Sequence, residues 1–531
     1  MQGVSGEWKA NQRRTLVNES FVEVSLDIAD PDALADASAH DNGATHISNT
    51  ASVVSEVDRN IVPYSTLEQN LWILDGSRKT LPTENVGECG FVGDVLSDEK
   101  RGFSNKTPVV TVRFTRLHRN PVPAVTITWG KVYNEFAEDF IVTVYNGDAV
   151  VAQKEVIGNK DVRSVVMMDI VDYDRITISI LRWCLPYHRV RIEEIFVGLN
   201  KVYGKSALFS YAHSQTVDAI STSLPKAEVS FSVDNMDNTY NPYNAEGLSK
   251  YLMERQEIKT RYGSKMDDGS VEWIKGGTYY LSEWRATQNG ISADFTARDL
   301  LEFLFVDYVE SVTEITPRSL YDIAKAVFES ADLPLNNDGS KKWYIDDSLR
   351  GIYTSAPLPV DTKANCLLMV ANAAGCVLYQ DRNGIVRIEP RNSTVSDYSI
   401  TLSNSYKKPE IVLTKTIKEV VVRVYEYSIV DGKIESVETD VVINVGSSGE
   451  QIKVDNPLIT DVERATAVGK WVANYLTNRV TLEVEWRPDV RLDALDMVQI
   501  ANQYGNNNAL MTEVKFDFSG AFRGKGKGRV M

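Results

Sequence analysis

Histidine and cysteine are scarce in this sequence, with five of one and four of the other in 531 residues. His40, His46, His118, His188 and His213 never stand in an HxxxH or HExxH pattern, which excludes a thermolysin-type zinc site. No two of Cys89, Cys184, Cys366 and Cys376 have CxxC spacing. A zinc ribbon is therefore excluded, and such thiols read as free cysteines folding in a reducing cytoplasm. A surplus of positive charge is also missing. Lys and Arg number 57 against 73 Asp and Glu, a net charge of −16, whereas a general nucleic-acid binder needs the opposite balance to neutralise phosphate. No apolar run reaches the roughly 18 residues of a membrane span. The opening MQGVSGEWKANQRR lacks the apolar core of a signal peptide.

Catalytic patterns are equally sparse. There is no GxSxG and no P-loop. Gly446-Ser447-Ser448-Gly449 reads as a turn between strands. Gly524-Lys525-Gly526-Lys527-Gly528 has no helix behind it, so the backbone cradle and dipole that hold phosphate are absent. It reads as a flexible C-terminal turn, or as a contact with an acidic neighbouring subunit. Asp346 and Asp347 are adjacent, and neighbours on an extended chain point to opposite faces. A glycosidase instead needs two carboxyls about 5–9.5 Å apart across one sugar. Asp234, Asn235, Asp237 and Asn238 lack the Gly and distal Glu of an EF-hand and read as turn residues. No catalytic residue, metal site or cofactor is expected.

What is present is an ordinary globular composition, 43% hydrophobic and 24% charged, in a chain long enough for three or four domains. The organising stretch is Lys226 to Phe303. Val229, Phe231 and Val233 alternate with polar residues, the period of a strand with one buried face. Asp234-Asn235 and Asp237-Asn238 end that strand. Gln256–Tyr262 alternates again, and Val271–Trp284 forms a hairpin arm interrupted at Gly276-Gly277, as at a bulge. The sum predicts a small, strongly bent antiparallel sheet that closes as a barrel.

Upstream, residues 91–203 predict an antiparallel β-sandwich. Its strand candidates are Val109–Phe114, Ala124–Trp129, Phe140–Tyr145, Val150–Val156, Val162–Asp169, Arg175–Leu181 and Arg191–Gly198. Downstream, Thr316-Pro317 predicts a helix start and Gly375 a helix end. Asp461–Leu476 carries Val462, Ala465, Val468, Trp471, Val472 and Tyr475 on one stripe, an amphipathic helix.

The segments KAEVSFSVDNMDNTYNP, RQEIKTRYG, VEWIKGGTYYLSEWRA and ISADFTARDLLEFLF, in this order, resemble the first barrel domain of hub proteins at the tip of bacteriophage tails. The resemblance extends to ANAAGCVLYQDRNGIVR and to the final VKFDFSGAFRGKGKGRVM. ESFVEVSLDI and TLEQNLWILDGS are also similar to tail proteins of this kind. The fold implied is mainly β with an α+β part. Residues 1–90 would lend strands to a first hub barrel, 204–310 form that barrel, 311–395 form a mixed α/β domain, and 396–531 form a second barrel with one helix. The jelly-roll sandwich at 91–203 would be an insertion. The implied role is that of a structural component of a tail tip or baseplate, joining the tail tube to the distal host-recognition apparatus. The protein would not be an enzyme; it would be made in the host cytoplasm and located in the virion. Its partners would be itself, as a homotrimer or alternatively a hexameric ring, and tail-tube, distal-tail, fibre or receptor-binding proteins. Some hubs append a peptidase or muralytic domain after the barrels; this sequence stops at RGKGKGRVM, which argues against wall digestion.

The sandwich itself resembles galactose-binding-like, discoidin-type jelly rolls, with TITWG before the DFIVTVYNGDAVV hairpin and RVRIEEIFVG at its close. That resemblance implies sugar binding through loops at one end, with Trp129, Tyr133, Trp183, Tyr187 and His188 as candidates, since aromatic faces pack on sugar C–H surfaces. A carbohydrate-binding adsorption protein acting on a host-surface glycan is the alternative function. The competing reading makes Trp129 and Trp183 core or rim packing.

Overall fold

The computed structural model describes residues 1–14, 16–54, 61–80, 89–287, 290–310, 315–336, 340–430 and 433–531. The protein is mostly β, and most of its strands pair antiparallel. Helix α1 (Gly6–Arg13) is capped by Ser5, whose hydroxyl accepts from the Trp8 N–H. Strand β1 (Ser20–Ala29) follows. The chain then builds a sandwich from β2 (Ser38–Asp41), β3 (Phe91–Leu96), β4 (Val109–His118), β5 (Val122–Trp129), β6 (Ala137–Asn146), β7 (Ala149–Val156), β8 (Arg163–Ile170), β9 (Tyr173–Trp183) and β10 (Arg189–Phe196). One sheet runs β8-β5-β10-β3 and the other β2-β4-β9-β6-β7. Every strand expected here from alternation falls on an observed one. Inward residues such as Val110, Val142, Ile178 and Ile192 form the sandwich core.

The chain returns through β11 (Gly198–Tyr203), β12 (Leu208–Thr216), β13 (Lys226–Asp234), β14 (Glu257–Lys265), β15 (Val271–Ala286) and β16 (Ser292–Arg298). A mixed region then carries α2 (Leu320–Glu329), α3 (Lys363–Ala374) and the hairpin β17 (Val377–Gln380) and β18 (Val386–Glu389). Helix α2 begins at Ser319, whose hydroxyl accepts from the Asp322 N–H, and not at the expected Thr316. The actual cap lies directly before the apolar stripe of Leu320, Ile323, Ala324, Val327 and Phe328. Gly375 ends α3 in the left-handed region at φ +69°, as expected.

The last part comprises β19 (Val395–Ile400), β20 (Glu410–Leu413), the long hairpin β21 (Ile417–Val430) and β22 (Lys433–Asn444), β23 (Glu450–Val454), α4 (Val462–Leu476), β24 (Val480–Trp486), β25 (Met497–Asn502), β26 (Gly505–Phe518) and β27 (Phe522–Val530). Asp461 caps α4 by accepting from the Arg464 N–H.

Two closed barrels were expected; among the described residues no sheet closes. A 13-stranded sheet runs β11-β1-β14-β15-β16-β13-β12-β26-β27-β24-β20, with β19 and β25 branching from β26. The reason lies at β12. It pairs with β13 on one side and with β26 on the other, Tyr211 opposite Phe518, so the two sets of strands share backbone hydrogen bonds. They also share one core. Val22, Phe231, Tyr262 and Phe295 pack in the same cluster as Tyr398, Trp486, Ile500 and Phe516, with Trp8 of α1 buried among them. The Gly276-Gly277 bulge is present, as the register against β14 skips at that point.

The GKGKG segment is a further correction. It is not a flexible turn but β27, paired with β24 and β26. Its glycines face the core and its lysines face out. A Cβ at Gly524 would lie 3.1 Å from the Trp486 ring, at Gly526 2.8 Å from Met511 Cε, and at Gly528 2.9 Å from Ile500 Cδ1. Large neighbours fill the space that side chains here would need.

The mixed region is riveted to the sheet by Arg382, which is almost wholly buried. Its Nε meets Asp493 at 2.6 Å, and its other nitrogens donate to the carbonyls of Lys275, Val490 and Leu492. The sandwich docks where β5 lies against β11: Thr126 Oγ1 donates to the Gly198 carbonyl at 2.9 Å. Lys250 and Tyr251 reach Asp169 of β8 at 3.2 and 3.1 Å.

Candidate functional site

The five residues singled out in the sandwich lie around one buried cluster of charge. β5 brings Trp129, β9 brings Trp183, and β10 brings Arg191. The 3₁₀ turn Lys131–Tyr133 and the chain after it supply Tyr133 and Glu135. His188 precedes β10. The segment that reads TLEQNLWIL forms turns and inserts Glu68.

Glu135 is the hub of this cluster. Its Oε1 contacts His188 Nδ1 at 2.8 Å, while its Oε2 accepts from Trp183 Nε1 at 3.0 Å and from Arg191 at 3.2 Å. Arg191 donates onward to Glu68 Oε1 at 2.6 Å, and Thr66 Oγ1 donates to the same oxygen at 2.9 Å. The second Glu68 oxygen takes the Arg189 N–H at 2.8 Å. The Arg191 guanidinium lies 4.5 Å from the centre of the Tyr133 ring, and the Tyr133 hydroxyl accepts from the Tyr64 N–H at 2.8 Å. Trp129 donates to Ser164 Oγ at 2.8 Å and packs edge-on to Trp183 at 6.1 Å and Phe140 at 5.0 Å.

Burial and charge oppose each other at these groups. Burial pulls the His188 imidazole down, but the hydrogen bond and charge of Glu135 outweigh it and leave the pKa raised. Burial pushes the Glu68 carboxyl up, yet the Arg191 charge and hydrogen bonds from Arg191, the Arg189 N–H and Thr66 leave it lowered. Arg191, resisted by burial, is raised by Glu68 and Glu135. Two carboxylates and one guanidinium therefore sit in the interior as a hydrogen-bonded set, the condition under which buried charge is tolerated.

The five sugar-binding candidates differ in burial. Trp129 and Trp183 are 0% exposed and His188 is 4% exposed, so no indole face is offered to a ligand. Tyr133 is half-buried beneath Arg191. Only Tyr187, 47% exposed and in the left-handed region at φ +56°, presents its ring to solvent. Sequence reasoning missed Glu68, Glu135 and Arg191. Glu68 and Glu135 lie off the strands and Arg191 stands on a strand with other charged residues, RVRIEEIF, so no local signal marked them. Among the described residues no group of His, Cys, Asp or Glu is arranged to hold a metal. The expected Asx turns are present, with Asp234 accepting from the Met236 N–H and Asp237 from the Thr239 N–H, both at 3.0 Å.

Comparison with known proteins gives no matching family model and no matching curated protein. Solved structures with a likeness include a prophage MuSo2 43 kDa tail protein from Shewanella oneidensis, at 12% identity and a TM-score of 0.43 over 62% of this chain and 95% of that one. A tail protein from Neisseria meningitidis MC58 gives 11% identity and 0.42 over 62% and 93%. The prophage tail protein gp18 from Listeria monocytogenes EGD-e gives 10% and 0.40 over 62% and 91%.

Proposed function

We propose that this chain is a structural component of a bacteriophage tail tip or baseplate. In this reading it forms a ring or hub with copies of itself, a trimer or alternatively a hexamer, and joins the tail tube to the distal host-recognition apparatus. The sandwich read at residues 91–203 is an inserted unit, to which β2 adds an edge strand, and the chain acts mechanically rather than as an enzyme. The observation that carries this is spatial. The segments whose order resembles tail hubs share one sheet, although the last of them is distant in the chain. KAEVSFSVD, QEIKTRYG, VEWIKGGTYYLSEWRA and SADFTAR are neighbouring strands of the 13-stranded sheet, and VKFDFSGAFRGKGKGRV joins them across β12. A resemblance confined to loops would not assemble in this way.

The decisive experiment is electron microscopy of the phage particle with this chain located in the density. A position at the distal end of the tube, in a closed ring, is the expected result. A position in the head, or absence from the particle, overturns the proposal. Clearing of peptidoglycan by the purified chain in a zymogram would overturn the non-enzymatic part.

A further inference from the structure

Natural sheets protect their open edges, because unpaired backbone groups template pairing with other chains. The large sheet does so at both ends. β11 is covered by the sandwich, and β20 is only four residues long and follows Lys407-Lys408-Pro409. β22 does neither. It is 12 residues long and terminates the sheet β22-β21-β23. Ile434–Asn444 contains no Lys and no Pro, and every side chain from Ile434 to Asp440 is exposed. Val437 is 62% exposed and Val442 49%.

The charge on this edge is also unbalanced. Arg423 of β21 faces Glu438 at 3.0 Å, Asp440 at 3.5 Å and Asp455 at 3.5 Å. Asp455 follows β23 on the far side of β21, so Glu438 and Asp440 share the guanidinium with it and leave negative charge uncompensated on β22, to which Glu435 adds on the opposite face. A second copy, with a net charge of −16, would bring more of the same sign.

We propose that the β22 edge is a strand-addition site for an extended segment of a different, basic protein. That segment alternates Lys or Arg with apolar residues. Its cations face Glu438 and Asp440 while its apolar side chains lie beside Val437. Main-chain hydrogen bonds supply affinity, and the alternating side chains supply specificity. This does not depend on the tail assignment.

The test uses the full chain and a fluorescein-labelled octapeptide of four Lys-Val repeats, titrated by anisotropy. The control peptide has proline in place of each valine, keeping the charge but removing half of the strand donors. Binding of the Lys-Val peptide, weakened about tenfold or more by the control, is expected. The solvent-exposed substitutions Val437→Lys and, separately, Glu438→Lys with Asp440→Lys should each weaken binding by a similar factor. Equal binding of the two peptides, no binding at all, or unchanged binding by the variants overturns the proposal. So does sedimentation showing that the wild type self-associates and that Val437→Lys abolishes this, which would assign the edge to a second copy.

Discussion

Two arginines in this protein each face several carboxylates, and they do opposite things. Arg191 lies inside the sandwich with a side chain 6% exposed, between Glu68 at 1% and Glu135 at 2%. Arg423 lies on the hairpin with a side chain 31% exposed, among Glu438, Asp440 and Asp455 at 46–57%. The pairing distances are similar. The difference is solvent: burial makes each partner indispensable, because removing one leaves a charge that water cannot reach. On the hairpin, water and salt screen the same contacts. The first cluster therefore holds the segment around Glu68 to the sandwich, and the second sets a surface charge.

Breaking the buried cluster has the largest expected effect. Arg191→Ala removes the cation that lies between Glu68 and Glu135, and a loss of about 3–5 kcal/mol is expected. Denaturant melts of the full chain, followed by the fluorescence of the buried Trp129 and Trp183, would show an early sandwich transition. Arg191→Met, which also removes the charge but fills the space, should not rescue the fold while both glutamates remain. A melt matching the wild type for Arg191→Ala would remove the distinction drawn between the two arginines.

The next effect is a pH dependence. The folded His188 pKa lies above its ordinary value, so its contribution is complete below about pH 6.5 and is lost as pH rises through the folded value. Glu68 lies below its ordinary value, so its contribution holds above the usual carboxylate range and is lost as pH falls through the folded value. The sandwich transition should be most stable between the two. Glu135→Gln removes the charge that raises His188 and should flatten the alkaline limb while sparing the acid one. An unchanged alkaline limb would show that another group is responsible.

How much of this could be read from the sequence depended on whether the signal was local. Val229, Phe231 and Val233 alternate, and the strand is where that pattern puts it. Asp461 and Gly375 mark helix ends through their own chemistry. The merging of the two strand sets into one open sheet was not local: it turns on Tyr211 meeting Phe518, which no window contains. β27 was hidden for another reason. Gly and Lys are depleted in strands, and only the bulk of Trp486 and Met511 on the facing side explains the glycines. The aromatic candidates converged in space, but a Trp that packs a core and a Trp that stacks on a sugar are the same letter. Glu68 and Glu135 were missed because carboxylates are rarely buried without partners, and their partner Arg191 looked like an outward residue of its strand.

A smaller effect is expected where an edge is already protected. Lys407→Val with Lys408→Val removes the two exposed lysines before β20 and leaves the buried Pro409 in place. The melting midpoint should stay within about 1 °C of the wild type, since exposed substitutions of this kind are nearly neutral. Sedimentation should nevertheless detect dimers or larger species. A strictly monomeric variant with an unchanged melt would mean that Pro409 and the shortness of β20 protect it, and the contrast with β22 would then rest on those two features.

The smallest stability effect belongs to Arg423. Its carboxylate partners are in water, so Arg423→Gln should melt with the wild type. Its consequence should appear in binding instead. Without the guanidinium, Glu438, Asp440 and Asp455 lose their shared cation and the edge becomes more negative. The Lys-Val octapeptide should then bind roughly threefold more tightly at low salt, with the gain disappearing as ionic strength rises. Tighter binding from deletion of a positive charge, without a change in melting, is a result that a purely structural role for the hairpin would not produce. Weaker binding would mean that Arg423 shapes the strand rather than setting its charge, and the two arginines would then differ in degree and not in kind.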